Sequence, residues 1–237
     1  MPRTHNNLAL VFVVGVSAFG LLMVLALSLN PVAVVHENFP ERKPLIGSIF
    51  SAICIFGMFA SLFPKQCSGS SHFRKRKNDS AATKTHATLK GHHPECEEFS
   101  AHIIEISNYT LCAACTGLLL GALMALTGTV FYFFNGWSIE TLSFQLVLFG
   151  ITGITLGFFQ LKFKGFIRLG LNMLFVLGAF FVLIGIDALV QSVLADFFLI
   201  VLIVFWLLTR IQLSHWDHFK ICLNCKSPCQ IGSAEKK

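Results

Sequence analysis

Apolar residues in this chain gather in six long blocks, near Leu8–Leu29, Leu45–Phe63, Thr116–Phe134, Thr141–Phe159, Leu169–Leu189 and Ser192–Leu208. Each reaches the roughly 17–25 residues that a helix needs to cross a hydrocarbon core. Block ends read this way are good to about 2–4 residues. Backbone in lipid must satisfy its own hydrogen bonds, so runs of this kind are helices. The pattern predicts an all-α membrane protein, a bundle of six transmembrane helices. Arg3 ahead of the first block suits a secretion signal. That block is longer than the roughly 7–15 apolar residues of a signal, however, and no small-x-small cleavage site closes it. It is read as a retained helix.

Composition agrees. The 237 residues are 54% hydrophobic and 13% charged, with mean hydropathy +0.70, whereas soluble domains carry about 25% charged residues. Five segments follow: residues 1–64, an N-terminal helix pair; 65–90, a basic flexible linker; 91–117, a Cys/His knuckle; 118–209, a four-helix membrane region; and 210–237, a Cys/His-rich tail.

Charge near the helix ends sets orientation. Basic residues cluster after the second block (Lys65, Arg74, Lys75, Arg76, Lys77, Lys84, Lys90), between the fourth and fifth (Lys162, Lys164, Arg168), and in the tail (Arg210, Lys220, Lys226, Lys236, Lys237). Alternating six helices puts all of these on one face. The expectation is a multi-pass protein of the cell membrane with both termini in the cytoplasm. The run Arg74-Lys75-Arg76-Lys77 serves this orientation and attracts anionic lipid, at roughly 1 kcal/mol per charge near the surface. The net charge of +6 is explained by topology and lacks aromatic interleaving, so no specific nucleic acid is expected. No protein partner is legible.

Six of the eight cysteines fall in two clusters on the expected cytoplasmic face, where thiols stay reduced and clustered Cys read as metal ligands or catalytic thiols. Cys54 lies in a membrane block as a small apolar packing residue, and Cys67 stands alone. In the first cluster His93-x2-Cys96-x15-Cys112-x2-Cys115 matches a paired zinc pattern with His replacing one Cys. A two-residue gap lets one tight turn aim both ligands at one ion, and two such turns complete a tetrahedron around zinc. Ile103–Ile106 and Thr110–Leu111 favour strands, with Asn108-Tyr109 as the turn, so a ribbon-like hairpin is expected before the third helix. His92 and His102 are alternative ligands. In the second cluster, His218, Cys222, Cys225 and Cys229 form a possible second site, with His215 as an alternative. His215, His218 and Cys222 share a face if the last helix continues past Arg210. His215 and Trp216 also suit an interfacial belt.

Other chemistry recedes. No Cys-x-x-Cys-His, His-Glu-x-x-His, Gly-x4-Gly-Lys or Gly-x-Gly-x-x-Gly is present. Cys222-x2-Cys225-x3-Cys229 partly echoes iron–sulfur spacing without its full run. Polar groups within the blocks are few, which argues against a proton or ion pathway. Asp187 and Asp196 are placed near the outer boundary, where charge is cheap, to orient the turn between the last two helices. Asn172 and Gln145 are candidates for hydrogen bonds between helices, and Gly117-x3-Gly121 and Gly153-x3-Gly157 for close helix approach.

His92-His93-Pro94, Cys96, Phe99 and Cys112-Ala-Ala-Cys115-Thr116-Gly117 at a helix entrance resemble an uncharacterised prokaryotic group of small polytopic membrane proteins with a His…Cys-x-x-Cys-Thr-Gly signature. The resemblance covers about half the chain at most. It implies a membrane-embedded protein with a cytoplasmic Cys-x-x-Cys and brings no activity, substrate or catalytic residue. The chain departs from the group in its two additional N-terminal helices and its Cys-rich tail. The leading expectation is a membrane scaffold or interaction module with structural zinc at its cytoplasmic knuckles. The alternative is a membrane thiol-disulfide oxidoreductase or an iron–sulfur electron-transfer protein. No enzyme activity is assigned.

Overall fold

The computed structural model describes residues 2–30, 41–62, 102–106 and 109–224. Among these residues six helices are long and apolar enough to cross a membrane, which fits a multi-pass membrane protein. They are α1 (Pro2–Leu29), α2 (Arg42–Leu62), α3 (Ala113–Thr129), α4 (Ser143–Phe158), α5 (Gly165–Val190) and α6 (Val193–Asn224). The β-favouring stretch ahead of α3 forms an antiparallel hairpin, β1 (Ile103–Ile106) and β2 (Tyr109–Cys112), with Ile103 opposite Cys112 and Ile106 opposite Tyr109. The hairpin marks one end of the bundle. At the far end the starts of α2 and α6 meet the ends of α3 and α5.

Helix ends depart from the apolar blocks wherever a charged residue turns out to be buried. Arg42 is 8% exposed and begins α2 three residues before the block at Leu45. Arg210 is 5% exposed and leaves α6 uninterrupted past Leu208 to Asn224. A guanidinium with partners inside the bundle does not have to stop a helix at the water boundary. α3 ends in a π turn, Val130–Phe134, which points both Tyr132 and Phe133 inward. A two-residue turn joins α5 to α6. There Gln191 adopts a left-handed conformation (φ 52°) and donates its N–H to the Asp187 carbonyl at 3.1 Å, a common way to close a helix C-terminus.

α5 is the centre of the bundle. In its most apolar window 67% of residues are buried, against 22% for α1 and for α2. Phe50, Phe175 and Phe180 fill the core, while Phe12, Phe56 and Phe149 face outward, where an apolar phase must cover them. The expected glycine contacts form, and α5 is the partner in each. On α4, Gly150 and Gly153 approach Gly178 backbone to backbone, and Gly157 meets the Phe175 side chain. On α3, a Cβ added at Gly117 would collide with the Leu169 carbonyl oxygen, and one at Gly121 falls 2.9 Å from that of Met173. Small residues let membrane helices associate through such approach.

Gly117→Ala therefore forces α3 off α5 near the hairpin. The expected loss is about 1–3 kcal/mol, the usual range for overpacking, read as a lower midpoint of unfolding in detergent. Gly15→Ala, where an added Cβ meets nothing within 4 Å, leaves the midpoint unchanged.

Candidate functional site

At the hairpin end the structure collects two thiols and two buried arginines. Cys112 closes β2 and is the N-cap of α3; Cys115 follows in its first turn. The tight contact at Gly117 holds this turn against α5. Amides at a helix start have no intrahelical acceptor, and the helix end is positive, so a thiolate is stabilised there. Both cysteines are half-buried. The Arg210 guanidinium, from α6, lies within electrostatic range of both sulfurs.

A ladder of hydrogen bonds fixes Arg210. Its Nε donates to Asn172 Oδ1 at 2.9 Å and its Nη2 donates to the same oxygen, with Gln160 Oε1 at 3.5 Å. Asn172 Nδ2 donates in turn to the Arg168 carbonyl at 2.6 Å. Arg168 reaches His102 Nε2 through Nη1 at 3.1 Å and Asp217 Oδ2 through Nη2 at 3.4 Å. A guanidinium only donates, so His102 Nε2 accepts and the ring proton sits on Nδ1. His102, read from sequence as an alternative ligand, meets Arg168 through Nε2, which also lies 3.6 Å from Asp217 Oδ2.

Two members of the first ligand set, Cys112 and Cys115, are brought together here. His92, His93 and Cys96 lie outside the described residues, as do Cys225 and Cys229 of the second set and the basic run Arg74–Lys77. His215 is exposed on α6. The helix continues past Arg210 to Asn224, which puts residues 215, 218 and 222 at helical spacings of three and four. Among the described residues no group of three or more His, Cys, Asp or Glu is placed to hold a metal.

Several site residues were missed by sequence reasoning. Arg168 and Arg210 counted only as orientation charges, yet they are 1% and 5% exposed. Their signal was local: each sits among apolar neighbours, as Phe166-Ile167-Arg168-Leu169 and Leu208-Thr209-Arg210-Ile211. Asn172 makes the interhelical bond expected of it. Gln145 does not; it faces outward, and Gln160 is the buried amide.

The far end corrects a second expectation. Asp187 and Asp196 are both 0% exposed, so neither sits at a wet boundary, and the turn they flank is closed by backbone bonds. Arg42 Nη1 lies 2.8 Å from Asp187 Oδ1 and 2.8 Å from Asp196 Oδ2. The Tyr132 hydroxyl meets Asp187 Oδ2 at 2.5 Å. Lys43 Nζ lies 4.8 Å from the Tyr132 ring centroid. A cavity of about 30 Å³ opens beside them, lined by Arg42, Lys43, Tyr132, Ser138, Asp187 and Gln191 among others.

No family model matches the chain, and neither a curated protein nor a solved structure does.

Arg210→Gln is expected to slow alkylation of Cys112 and Cys115 several-fold in metal-stripped protein, measured site by site by mass spectrometry. Removing the cation leaves fewer thiolates at a given pH, so the rate profile moves to higher pH. Faster alkylation in the variant would show that Arg210 shields the thiols rather than activating them.

Proposed function

We propose that this multi-pass membrane protein carries a structural zinc site at its hairpin end, on the cytoplasmic side, formed by His93, Cys96, Cys112 and Cys115. One observation carries the reading: the Cys-x-x-Cys pair stands at the head of α3, directly behind a hairpin whose other strand starts opposite Cys112. That register makes the chain enter β1 beside the first thiol. Cys96 is seven residues upstream of Ile103, and a chain reaches at most about 3.3–3.6 Å per residue, so chain length allows His93 and Cys96 to reach the pair. The residues present fit the ion. Two thiolates at a positive helix end, with Arg210 to offset the excess negative charge of a three-thiolate site, suit Zn²⁺. The ion would supply cross-linking energy, about 10–16 kcal/mol in small zinc peptides, to a hairpin that has little apolar core of its own.

The surrounding residues support the same assignment. Lys162, Lys164 and Lys220 are exposed at the hairpin end, as the positive-inside bias requires, and the Arg74–Lys77 run is suited to anionic lipid on that side. The resemblance of His92–Gly117 to the prokaryotic group points to the same segment. On this reading His218, Cys222, Cys225 and Cys229, with His215 as alternative, would form a second site on the continuation of α6.

A second reading draws on the same electropositive thiol pair. Thiolates stabilised by a guanidinium and a helix start also suit thiol-disulfide exchange. Elemental analysis of freshly purified full-length protein separates the two. Stoichiometric zinc that falls by at least one equivalent in Cys112→Ser supports the structural site. Full zinc in that variant sinks it, and a metal-free protein with a reversible Cys112–Cys115 disulfide establishes the exchange reading. Visible absorption with bound iron would point to the iron–sulfur alternative.

A further inference from the structure

We propose that the far end of the bundle is a proton-binding site, in which Asp187 and Asp196 share one exchangeable proton that enters through the cavity beside Arg42 and Gln191. This site lies some twenty helical residues along α5 from the thiols and does not depend on the zinc reading.

Charge count comes first. Two carboxylates from α5 and α6 converge on a single nitrogen of Arg42, at 2.8 Å each, so their contacting oxygens are no more than twice that distance apart. Like charges this close inside a low-dielectric bundle repel strongly, and a pair of carboxylates sharing a site keeps one of them protonated. The other charged and titratable groups facing the pair are Lys43 from α2, which is half-buried over the Tyr132 ring, and Tyr132 from α3. The Tyr132 hydroxyl is a donor to Asp187 Oδ2. The remaining polar residues that line the cavity, Ser138 and Gln191, are neutral.

Hydrogen-bond geometry points the same way. Read as two ionised groups, Asp196 Oδ1 is buried with no donor, and Asp187 Oδ1 has the Arg42 ion contact but no donor in hydrogen-bond geometry. Unmet buried acceptors of this kind are rare and costly. A proton shared between the two carboxyl groups would turn one of these oxygens into a donor, since only ionised carboxylates are acceptors alone.

Access is local. Asp187 lines the cavity, whose volume is enough for about two waters. The π turn of α3 brings Tyr132 to one wall, and the left-handed Gln191 forms another. Both are irregular backbone, which membrane proteins tolerate where it lines a polar cavity.

Infrared spectroscopy of the full chain in lipid nanodiscs tests this directly. The protonated-carboxyl C=O stretch should be present at neutral pH, shift on transfer to D₂O, and decline as pH is raised. Asp187→Asn and Asp196→Asn should each abolish it, because the remaining carboxylate then pairs one-to-one with Arg42 and stays ionised. Helical content and monodispersity confirm that each variant is folded. The wild-type spectrum alone is decisive if neither variant is folded: absence of the band at neutral pH overturns the proposal, as does a band indifferent to D₂O and to pH. Survival of the band in both folded variants places the proton elsewhere and also overturns it.

Discussion

A helix surrounded by other helices cannot send its polar groups to water, and α5 is surrounded. Glycines on α3 and α4 bring neighbouring backbones against it so closely that added methyl groups would meet carbonyl oxygens. No room is left for a long side chain to snorkel outward. Arg168, Asn172 and Asp187, each at most 1% exposed, must therefore find partners on the adjacent elements. Their partners are what draws the rest of the molecule in: His102 and Asp217 to Arg168, Arg210 to Asn172, Arg42 and Tyr132 to Asp187. Both polar clusters are consequences of where α5 sits.

The clusters differ in sign. At the hairpin end two guanidiniums, Arg168 and Arg210, face one carboxylate, Asp217, among the described residues. At the far end two carboxylates face one buried guanidinium. An uncompensated buried ion costs several kcal/mol, so each end calls for one more species of opposite charge. On the readings proposed above, thiolates at the head of α3 would answer the first need and a proton the second.

The six helices and the hairpin were legible because each rests on a local property, long apolar blocks or β-branched runs; Tyr109, expected in the turn, instead opens β2 opposite Ile106. Close helix approach was legible too, since Gly117 and Gly153 recur at helical spacing. What escaped was the burial of charge. A basic residue at the edge of an apolar block looks the same whether it marks the water boundary or turns inward. Arg42, Arg168 and Arg210 all turn inward because each meets a partner distant in sequence, such as Asp196, 154 residues from Arg42. Asp187 and Asp196 were misplaced for the same reason. Nine residues apart across a tight turn, they read as a loop pair until α2 is known to lie between them and water. The thiol pair was found because its spacing is short, while Arg210, the charge that conditions it, is 95 residues beyond Cys115.

This view gives the N-terminal helices a purpose that their lipid-facing surfaces conceal. α1 meets α6 through a Ser17–Thr209 hydroxyl bond of 2.7 Å and through Trp206 Nε1, which donates to the Ser17 carbonyl at 3.2 Å. α2 makes the larger contribution, because its first residue, Arg42, is the cation that both far-end carboxylates touch. Take α2 away and Asp187 and Asp196 face each other with only Tyr132 as a donor, an arrangement that would drive both to protonate or separate α5 from α6. α2 is therefore what makes the acidic pair at the far end tenable.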